Sequence, residues 1–446
     1  MSLPRYSEYK CSGIPWAGSV PAHWLVQPLL GVSSERYEPN VGMLEDNLLS
    51  LSYGRIVRKD IDSNDGLLPE SFETYQIVHQ GDIVLRLTDL QNDKRSLRSA
   101  HVQERGIITP AYLAIRPTGA SSAFLAYLLR AYDLSKVFYS MGGGLRQSMK
   151  FADLKRMPIV IPPEREQAAI AAFLDRETAK IDALIAEQEK LIALLAEKRQ
   201  ATISHAVTKG LNPHAPMKDS GVAWLGEVPA HWKVGKAGFY ISILPGFAFP
   251  STGFSLDESN VKLLRGVNVG VGELRWDDVV YWQRTRDDGL EAFELQAGDV
   301  VIGMDRPLIS TGMRVANVKE DDLPCLLLQR VAKVQPGAVV DNRFMMRLLS
   351  SRAFEAHFIP ETTGVSVPHI SAEQISSFVI PIPPLDEQRQ ISDYAETELE
   401  KLDRLNRGAG LAIALLDERR SALIAAAVTG QIDVRGTFGR TAEREQ

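Results

Sequence analysis

The chain reads Pro162-Pro163-Glu164-Arg165-Glu166-Gln167 at one point and Pro383-Pro384-Leu385-Asp386-Glu387-Gln388 at another. The two stretches are offset by 221 residues, and each opens a long helical pattern, the first to Val207 and the second to Val428. Proline at the start of a helix loses no hydrogen bond, and a glutamate in the first turn suits the helix dipole. The sequence is therefore an internal repeat organised around two long helices.

Apolar residues recur in both patterns at alternating steps of four and three, the heptad spacing by which helices wind around each other. These residues form an apolar stripe along each helix, which we call the helix seam. It includes Leu174, Ile181, Leu184, Leu191, Leu195, Leu402, Leu405 and Leu416. A helix of about 60 Å cannot bury such a seam alone, so we expect the two helices to pack on each other. Two helices of an ordinary bundle are the alternative. Gly408 and Gly410 predict a weaker second helix, a kink or a close contact there.

Composition indicates a globular protein of two or more domains. The chain has 446 residues, of which 45% are hydrophobic and 24% charged. It shows no secretory signal and no apolar run that could cross a bilayer. The two cysteines, Cys11 and Cys325, predict neither a disulfide framework nor a cysteine zinc site, and indicate a cytoplasmic protein. A net charge of −6 argues mildly against nucleic-acid binding unless local basic faces or a partner supply positive charge.

The segments before the two helices also share a framework. Both begin with a Ser-Gly stretch that ends in His-Trp, at His23-Trp24 and at His231-Trp232. We expect the tryptophans to hold a small core and the histidines to make a local polar contact, rather than to bind a metal. The predicted fold class is α+β, with β-rich globular domains alternating with long helices. The predicted segments are 1–163 (globular), 164–211 (helix), 212–383 (globular), 384–433 (helix) and 434–446 (flexible tail).

The sequence contains no pattern that identifies an active site. It has no phosphate-binding loop, no dinucleotide fingerprint, no Gly-x-Ser-x-Gly, no His-Glu-x-x-His and no Cys-x-x-Cys. No spacing of acidic residues singles out a catalytic pair. We therefore predict no catalytic, cofactor-binding or metal-binding residues on this chain.

Polar and basic segments of both globular domains supply side chains that hydrogen-bond to base edges or phosphates. In the first domain the candidates are Arg86, Thr88, Lys94, Arg95, Arg98, Arg146, Gln147 and Lys150. In the second they are Arg265, Asn268, Arg306, Thr311, Arg314, Thr363, Ser366 and His369. Solvated loops without a ligand are the alternative interpretation for each region.

The repeat resembles the DNA-specificity subunit of type I restriction–modification systems. The resemblance covers nearly the whole chain and rests on the two Pro-Pro-x-x-Glu-Gln helix starts and the helices after them. Gly-Asp-Ile-Val-Leu at 81–85, Leu-Arg-Gly-Val-Asn at 264–268 and the segment 364–368 also fit it.

The resemblance implies two target-recognition domains, each reading one half of a bipartite double-stranded DNA site. An antiparallel coiled coil of the two helices would fix the spacing between them. It also implies two modification subunits that bind S-adenosylmethionine and methylate adenine, and restriction subunits that use ATP and Mg²⁺. This chain would then be a non-catalytic member of the complex.

Two other functions are compatible with the sequence. A structural adaptor whose two domains bind proteins would show the same repeat. A stand-alone nuclease or methyltransferase would need metal- or cofactor-dependent activity of the purified chain.

Overall fold

The computed structural model describes residues 4–61, 69, 71–90, 96–141, 148–309, 311–362 and 368–437. The chain divides into two compact units: the first is Met1–Gln188 with Leu411–Gln446, and the second is Glu189–Gly410. Each unit therefore contains a β-rich globular part, the first half of one long helix and the second half of the other. None of the described helices is both long enough and apolar enough to span a membrane.

The described residues of the first unit form twelve short strands and three short α-helices, followed by the start of a long helix. The strands are β1 Tyr9–Cys11, β2 Ser19–Pro21, β3 Leu25–Pro28, β4 Ser33–Arg36, β5 Leu49–Ser52, β6 Arg55–Arg58, β7 Gln76–Val78, β8 Ile83–Leu85, β9 Ser99–His101, β10 Gly106–Ile108, β11 Leu113–Pro117 and β12 Pro158–Ile161. The helices are α1 Ser122–Leu134, α2 Val137–Met141, α3 Phe151–Leu154 and the long α4 Glu164–Lys209.

The second unit repeats this order with thirteen strands. They are β13 Met217–Asp219, β14 Glu227–Pro229, β15 Lys233–Lys236, β16 Ile241–Pro245, β17 Val261–Leu264, β18 Tyr281–Trp282, β19 Val300–Gly303, β20 Leu308–Ile309, β21 Gly312–Met313, β22 Val315–Asn317, β23 Cys325–Leu327, β24 Val331–Pro336 and β25 Val379–Ile382. The helices are α5 Asn342–Leu349, α6 Arg352–Thr362, α7 Ala372–Ser377 and the long α8 Leu385–Val428.

The central sheets of the two units have the same topology. The strand order is β4-β11-β8-β9 in the first and β16-β24-β19-β22 in the second, with antiparallel pairing throughout. The strand before each long helix pairs with an early strand, β12 with β3 and β25 with β15. The α+β class is confirmed, and the framework similarity seen in the sequence corresponds to one scaffold built twice.

A buried strand follows a glycine turn in each unit. All residues of β8 and β19 are buried. Gly81 and Gly298 precede them with φ of 91° and 90°. Glycine is suited to these positions because it adopts positive φ without the steric cost that a Cβ brings.

The glutamate of each helix start holds the His-Trp segment. The carboxylate of Glu166 accepts hydrogen bonds from Nε1 of the buried Trp24 at 3.1 Å and from the hydroxyl of Tyr6 at 3.1 Å, and Nε2 of His23 lies 2.7 Å away. Glu387 pairs with His231 at the same distance of 2.7 Å. The predicted local role of the histidines is confirmed, since each contacts the helix-start glutamate.

The glutamine of each helix start clamps a neighbouring helix. Oε1 of Gln167 accepts from the backbone N–H of Ser121, the residue that caps α1, at 2.7 Å. Oε1 of Gln388 accepts from the N–H of Asp341, the cap of α5, also at 2.7 Å. The Glu-Gln pair of the repeated motif thus stabilises the junction between helix and globular part.

The long helices are continuous, and their predicted seam is only partly buried. Helix α8 passes through Gly408 and Gly410, where an added Cβ would meet open space, so no close contact explains these glycines. Leu174, Ile181, Leu195 and Leu402 are buried and Leu416 is half-buried, but Leu184, Leu191 and Leu405 are 45%, 38% and 55% exposed. An ideal helix drifts by about 20° per heptad relative to a strict 3.5-residue period. A single heptad register therefore does not stay on one buried face along the whole helix.

The two long helices contact each other inside each unit. In the first unit Ile170 and Leu174 belong to the same buried cluster as Ile424 and Val428. In the second unit Leu195, Ile203, Leu399 and Leu402 form a cluster of their own. Asp182 pairs with Arg420, and Arg199 pairs with Asp403. These two ion pairs are equivalent, because each residue of one pair corresponds to a residue of the other at the offset of 221.

Candidate nucleic-acid interface

A turn follows the central strand of each unit and contains several of the predicted DNA-binding residues. It comprises residues 86–89 after β8 and residues 304–306 after β19. Asp89 and Arg306 hold equivalent positions in this turn. The backbone of both residues is in the left-handed conformation, with φ of 57° and 44°. Left-handed residues other than glycine are uncommon and concentrate at functional sites.

Arg98 supports the first of these turns from inside the protein. Its side chain is fully buried, and its guanidinium donates to the carbonyl of Thr88 at 2.9 Å and to that of Asp89 at 3.4 Å. It also lies against the hydroxyl of Tyr139 at 3.3 Å. The sequence placed Arg98 among the DNA-binding residues. The structure corrects this, because a buried guanidinium that binds backbone carbonyls is not exposed to DNA.

Arg314 is the equivalent of Arg98 in the second unit. Its guanidinium donates to the carbonyl of Asp305 at 3.1 Å and to that of Val269 at 2.8 Å. The backbone carbonyls of the two arginines also match, since that of Arg98 accepts from Arg86 N–H and that of Arg314 accepts from Gly303 N–H. Burial lowers the pKa of Arg314; the nearby charge of Arg306 also lowers this pKa, and Asp305 opposes the shift.

Three predicted residues of the first unit lie at or beside its turn. Arg86 and Thr88 are half-buried within the turn. Lys150 is exposed and follows Met149, whose backbone N–H donates to the carbonyl of Leu87 at 2.9 Å. The other candidates of this unit, Lys94, Arg95, Arg146 and Gln147, lie outside the described residues.

The second unit brings Arg306 and His369 together. The backbone N–H of Arg306 donates to the carbonyl of Pro368 at 2.7 Å, and the Arg306 side chain is exposed. Nδ1 of His369 lies 2.7 Å from Oδ1 of Asp305, the neighbour of Arg306. Thr311 is exposed between β20 and β21. Thr363 and Ser366 lie outside the described residues.

Arg265 and Asn268 are engaged with their own loop. Asn268 is buried; its amide donates to the carbonyls of Arg275 and Asp278 at 2.9 Å each and accepts from Arg265 N–H at 3.1 Å. The structure therefore corrects the assignment of Asn268, whose hydrogen bonds hold the loop. The guanidinium of Arg265 donates to the carbonyl of Asp278 and pairs with its carboxylate, both at 2.8 Å.

Asp305 and Arg330 also belong to this site, although the sequence did not predict them. Arg330 is exposed and left-handed, with φ of 73°, and its guanidinium lies 3.6 Å from Oδ1 of Asp305. The two residues meet because β19 and β24 are neighbours, and Met304 N–H donates to the carbonyl of Arg330 at 2.8 Å. No local spacing signals this contact, which depends on the pairing of distant strands.

The site combines basic side chains with backbone turns. Arg330 and His369 contact the carboxylate of Asp305, Arg314 donates to its backbone carbonyl, and Arg306 follows it in the chain. Among the described residues, no group of His, Cys, Asp and Glu side chains could hold a metal ion. The geometry favours hydrogen bonding to a ligand rich in acceptors, such as DNA.

Residues 283–408 match the type I restriction modification DNA specificity domain. The EcoAI specificity subunit of Escherichia coli is 32% identical over 217 residues, which are 48% of this chain and 36% of that protein. The MjaVIII specificity subunit of Methanocaldococcus jannaschii is 26% identical over 334 residues, 74% of each chain. This chain thus spans about a third of the length of the EcoAI subunit and about three quarters of the length of the MjaVIII subunit.

A solved structure supports the fold. It comes from work on complex assembly and conformational transition of the type I R-M system, and it superposes with a TM-score of 0.62 at 18% identity. The superposition covers 92% of this chain and 98% of the other. The resemblance seen in the sequence is confirmed: this chain is similar to the DNA-specificity subunits of type I restriction–modification systems.

Proposed function

We propose that this chain is the subunit that recognises a bipartite double-stranded DNA sequence for a type I restriction–modification complex. The observation that carries the proposal is the turn after the central strand. The same backbone is built in both units and is supported by equivalent arginines, the buried Arg98 and the half-buried Arg314. The side chains on it differ, with Thr88-Asp89 in one unit and Asp305-Arg306 in the other. One scaffold with two sets of side chains suits the reading of two different half-sites.

Each unit is a target-recognition domain in this proposal, and its turn lies against one half-site. Arg86, Thr88 and Lys150 contact DNA in the first unit. Arg306, Thr311 and His369 do so in the second, and Arg265 approaches DNA only if Asp278 releases it. Lys94, Arg95, Arg146, Gln147 and Ser366 are proposed contacts from the sequence alone. The net charge of −6 means that partner subunits supply further positive charge along the duplex.

The long helices act as the spacer between the two half-sites. Their contacts within each unit, and the equivalent ion pairs Asp182–Arg420 and Arg199–Asp403, support an antiparallel coiled coil. The helices have 46 and 44 residues and therefore measure about 65–70 Å. Half-sites read from one face of B-DNA lie about 34 Å apart, a separation that helices of this length can bracket.

Catalysis belongs to other subunits of the complex. Two modification subunits would bind S-adenosylmethionine and methylate adenine after flipping it from the stack. Restriction subunits would use ATP and Mg²⁺ to move and cut DNA. The exposed leucines of the helices, Leu184, Leu191 and Leu405, offer the apolar surface on which modification subunits dock.

Mapping of methylated adenine in host DNA tests this function directly. A host that carries this gene is expected to methylate one split motif, and deletion of the gene should remove that motif. A methylome that does not change on deletion contradicts the proposal, provided that the modification subunit is expressed.

Binding at two salt concentrations separates DNA recognition from a protein adaptor. DNA binding by the assembled complex should weaken steeply with salt, because phosphate contacts release counterions. An adaptor would show no such slope, because it would make no phosphate contacts.

A further inference from the structure

Positive charge is concentrated at the turn of the second unit. Arg306 and Arg330 are exposed, and both lie beside Asp305. His369 pairs with the same carboxylate at 2.7 Å. We call Asp305, Arg306, Arg330 and His369 the Asp305 cluster. Its single carboxylate cannot neutralise two arginines, so the cluster is basic although the chain as a whole is acidic.

The backbone holds the two exposed arginines in fixed positions. Both are left-handed, with φ of 44° and 73°. Arg306 N–H donates to Pro368 at 2.7 Å, and the carbonyl of Arg330 accepts from Met304 N–H at 2.8 Å. Such conformations persist only where the surrounding structure holds them, and they are typical of ligand-binding positions. The side chains therefore leave the backbone from points that are defined before any ligand binds.

The cluster presents donors and an acceptor side by side. The guanidinium groups of Arg306 and Arg330 are donors, whereas the Asp305 side chain, 35% exposed, is an acceptor. A phosphate would be repelled by that carboxylate. A G·C pair presents a complementary pattern in the major groove, with acceptors at guanine N7 and O6 and a donor at cytosine N4.

We propose that the Asp305 cluster reads a G·C pair in the half-site recognised by the second unit. Arg306 or Arg330 binds the guanine edge. Asp305 orients Arg330 and His369, and its carboxylate is the proposed acceptor for the amino group of cytosine N4. The proposal rests on the proposed function, since it specifies the ligand of one of the two recognition domains.

The test uses the complete complex with its modification subunits. In Arg306→Gly and Arg330→Gly the backbone is preserved, because glycine adopts the left-handed conformation readily. Arg306→Lys and Arg330→Lys keep the charge but remove the planar fork that binds guanine. Arg352→Ala is the control, since Arg352 is an exposed arginine of the same unit whose backbone N–H contacts Ser204 on α4. The methylated motif and the binding to matched oligonucleotides are measured for each variant.

At least one glycine variant is expected to tolerate another base pair at a single G·C position of one half-site. Its preference for G·C over A·T there should fall about tenfold. The lysine variant at the same residue should show a weaker preference than the wild type, because an ammonium can donate to guanine but lacks the planar fork, and the other half-site should stay unchanged. Replacing that guanine by 7-deazaguanine, which lacks N7, should weaken wild-type binding more than binding of the glycine variant. Asp305→Asn, which keeps an acceptor for His369, should retain more of the preference than Asp305→Ala.

Three outcomes overturn the inference. Both glycine variants could keep the full preference for G·C. Both lysine variants could equal the wild type, which would indicate phosphate contacts. The half-site could also contain no G·C pair. Failure of the proposed function gives a different result, since the wild-type complex would then methylate no split motif at all. For a variant that loses all methylation, the preference for G·C is measured by oligonucleotide binding alone.

Discussion

Arg98 and Arg314 make the same hydrogen bond in the two units. Each guanidinium donates to the carbonyl of the residue just before the left-handed position of the turn, Thr88 at 2.9 Å and Asp305 at 3.1 Å. The bond fixes the turn backbone without using its side chains. The residues on the turn can therefore differ between the two units while the shape of the turn is kept.

Removal of this support should destabilise the unit that contains it. We expect Arg314→Ala to lower the free energy of unfolding of the second unit by about 2–4 kcal/mol, because the carbonyls of Val269 and Asp305 lose their donor. Urea unfolding followed by circular dichroism measures this change. The exposed Arg352→Ala should stay within about 0.5 kcal/mol of the wild type. Equal stability of Arg314→Ala and Arg352→Ala would contradict the structural role of Arg314.

The helix-start glutamine should matter for stability more than its exposed neighbour. Gln388 accepts from Asp341 N–H and donates to the carbonyls of Val339 and Pro383 at 2.9 and 2.8 Å. Gln388→Ala leaves these backbone groups without their side-chain partner, and we expect a loss of about 1–3 kcal/mol in unfolding free energy. Gln390→Ala, two positions along α8 and exposed, is the control. Equal unfolding midpoints for Gln388→Ala and Gln390→Ala would show that the hydrogen bonds of Gln388 do not stabilise the fold.

The exposed leucines should affect assembly and not folding. Leu184→Asp and Leu405→Asp place a charge on surface that is 45% and 55% exposed, so the thermal unfolding temperature should change little. Capture of the modification subunit in a pull-down should fall at least tenfold if these residues enter an apolar interface, since burying an unpaired carboxylate is costly.

Two substitutions nearby give the matching controls for assembly. Ala186→Asp and Asn406→Asp add the same charge at exposed positions of the same helices. Normal capture by both leucine variants would move the docking surface away from these residues. Loss of capture by the controls as well would indicate a general effect of charge.

The two cysteines should differ in reactivity. Burial raises the pKa of the Cys325 thiol to about 12, whereas Cys11 is exposed. At pH 8 only about one Cys325 in 10⁴ would be a thiolate, which is the reactive form. A thiol reagent should therefore label Cys11 in the native protein and Cys325 only after unfolding. Rapid labelling of both would show that the second unit opens, so this assay also reports whether a variant of that unit is folded.

The repeated framework could be predicted from the sequence because it depends on local patterns. The glycine before each buried strand, the proline and acidic residues at the helix starts and the periodic apolar residues each act within a few positions of the chain. The strands near Gly81 and Ile159 and the helix at Phe124 have counterparts near Gly298, Val379 and Phe344 in the second unit. The buried part of the helix seam was predicted less well, since a fixed heptad register drifts around a long helix.

The sequence by itself determined the duplicated architecture and the relationship to type I specificity subunits, because both depend on motif order along the chain. Only the tertiary structure decided which basic residues face solvent. Arg98 and Arg306 are both arginines in polar segments, yet one is buried beneath a turn and the other exposed on it. The difference arises from strand pairing, which brings the backbone carbonyls of Thr88 and Asp89 to Arg98 and brings Arg330 to Asp305. Neither the composition nor the spacing of residues in the sequence predicts these contacts.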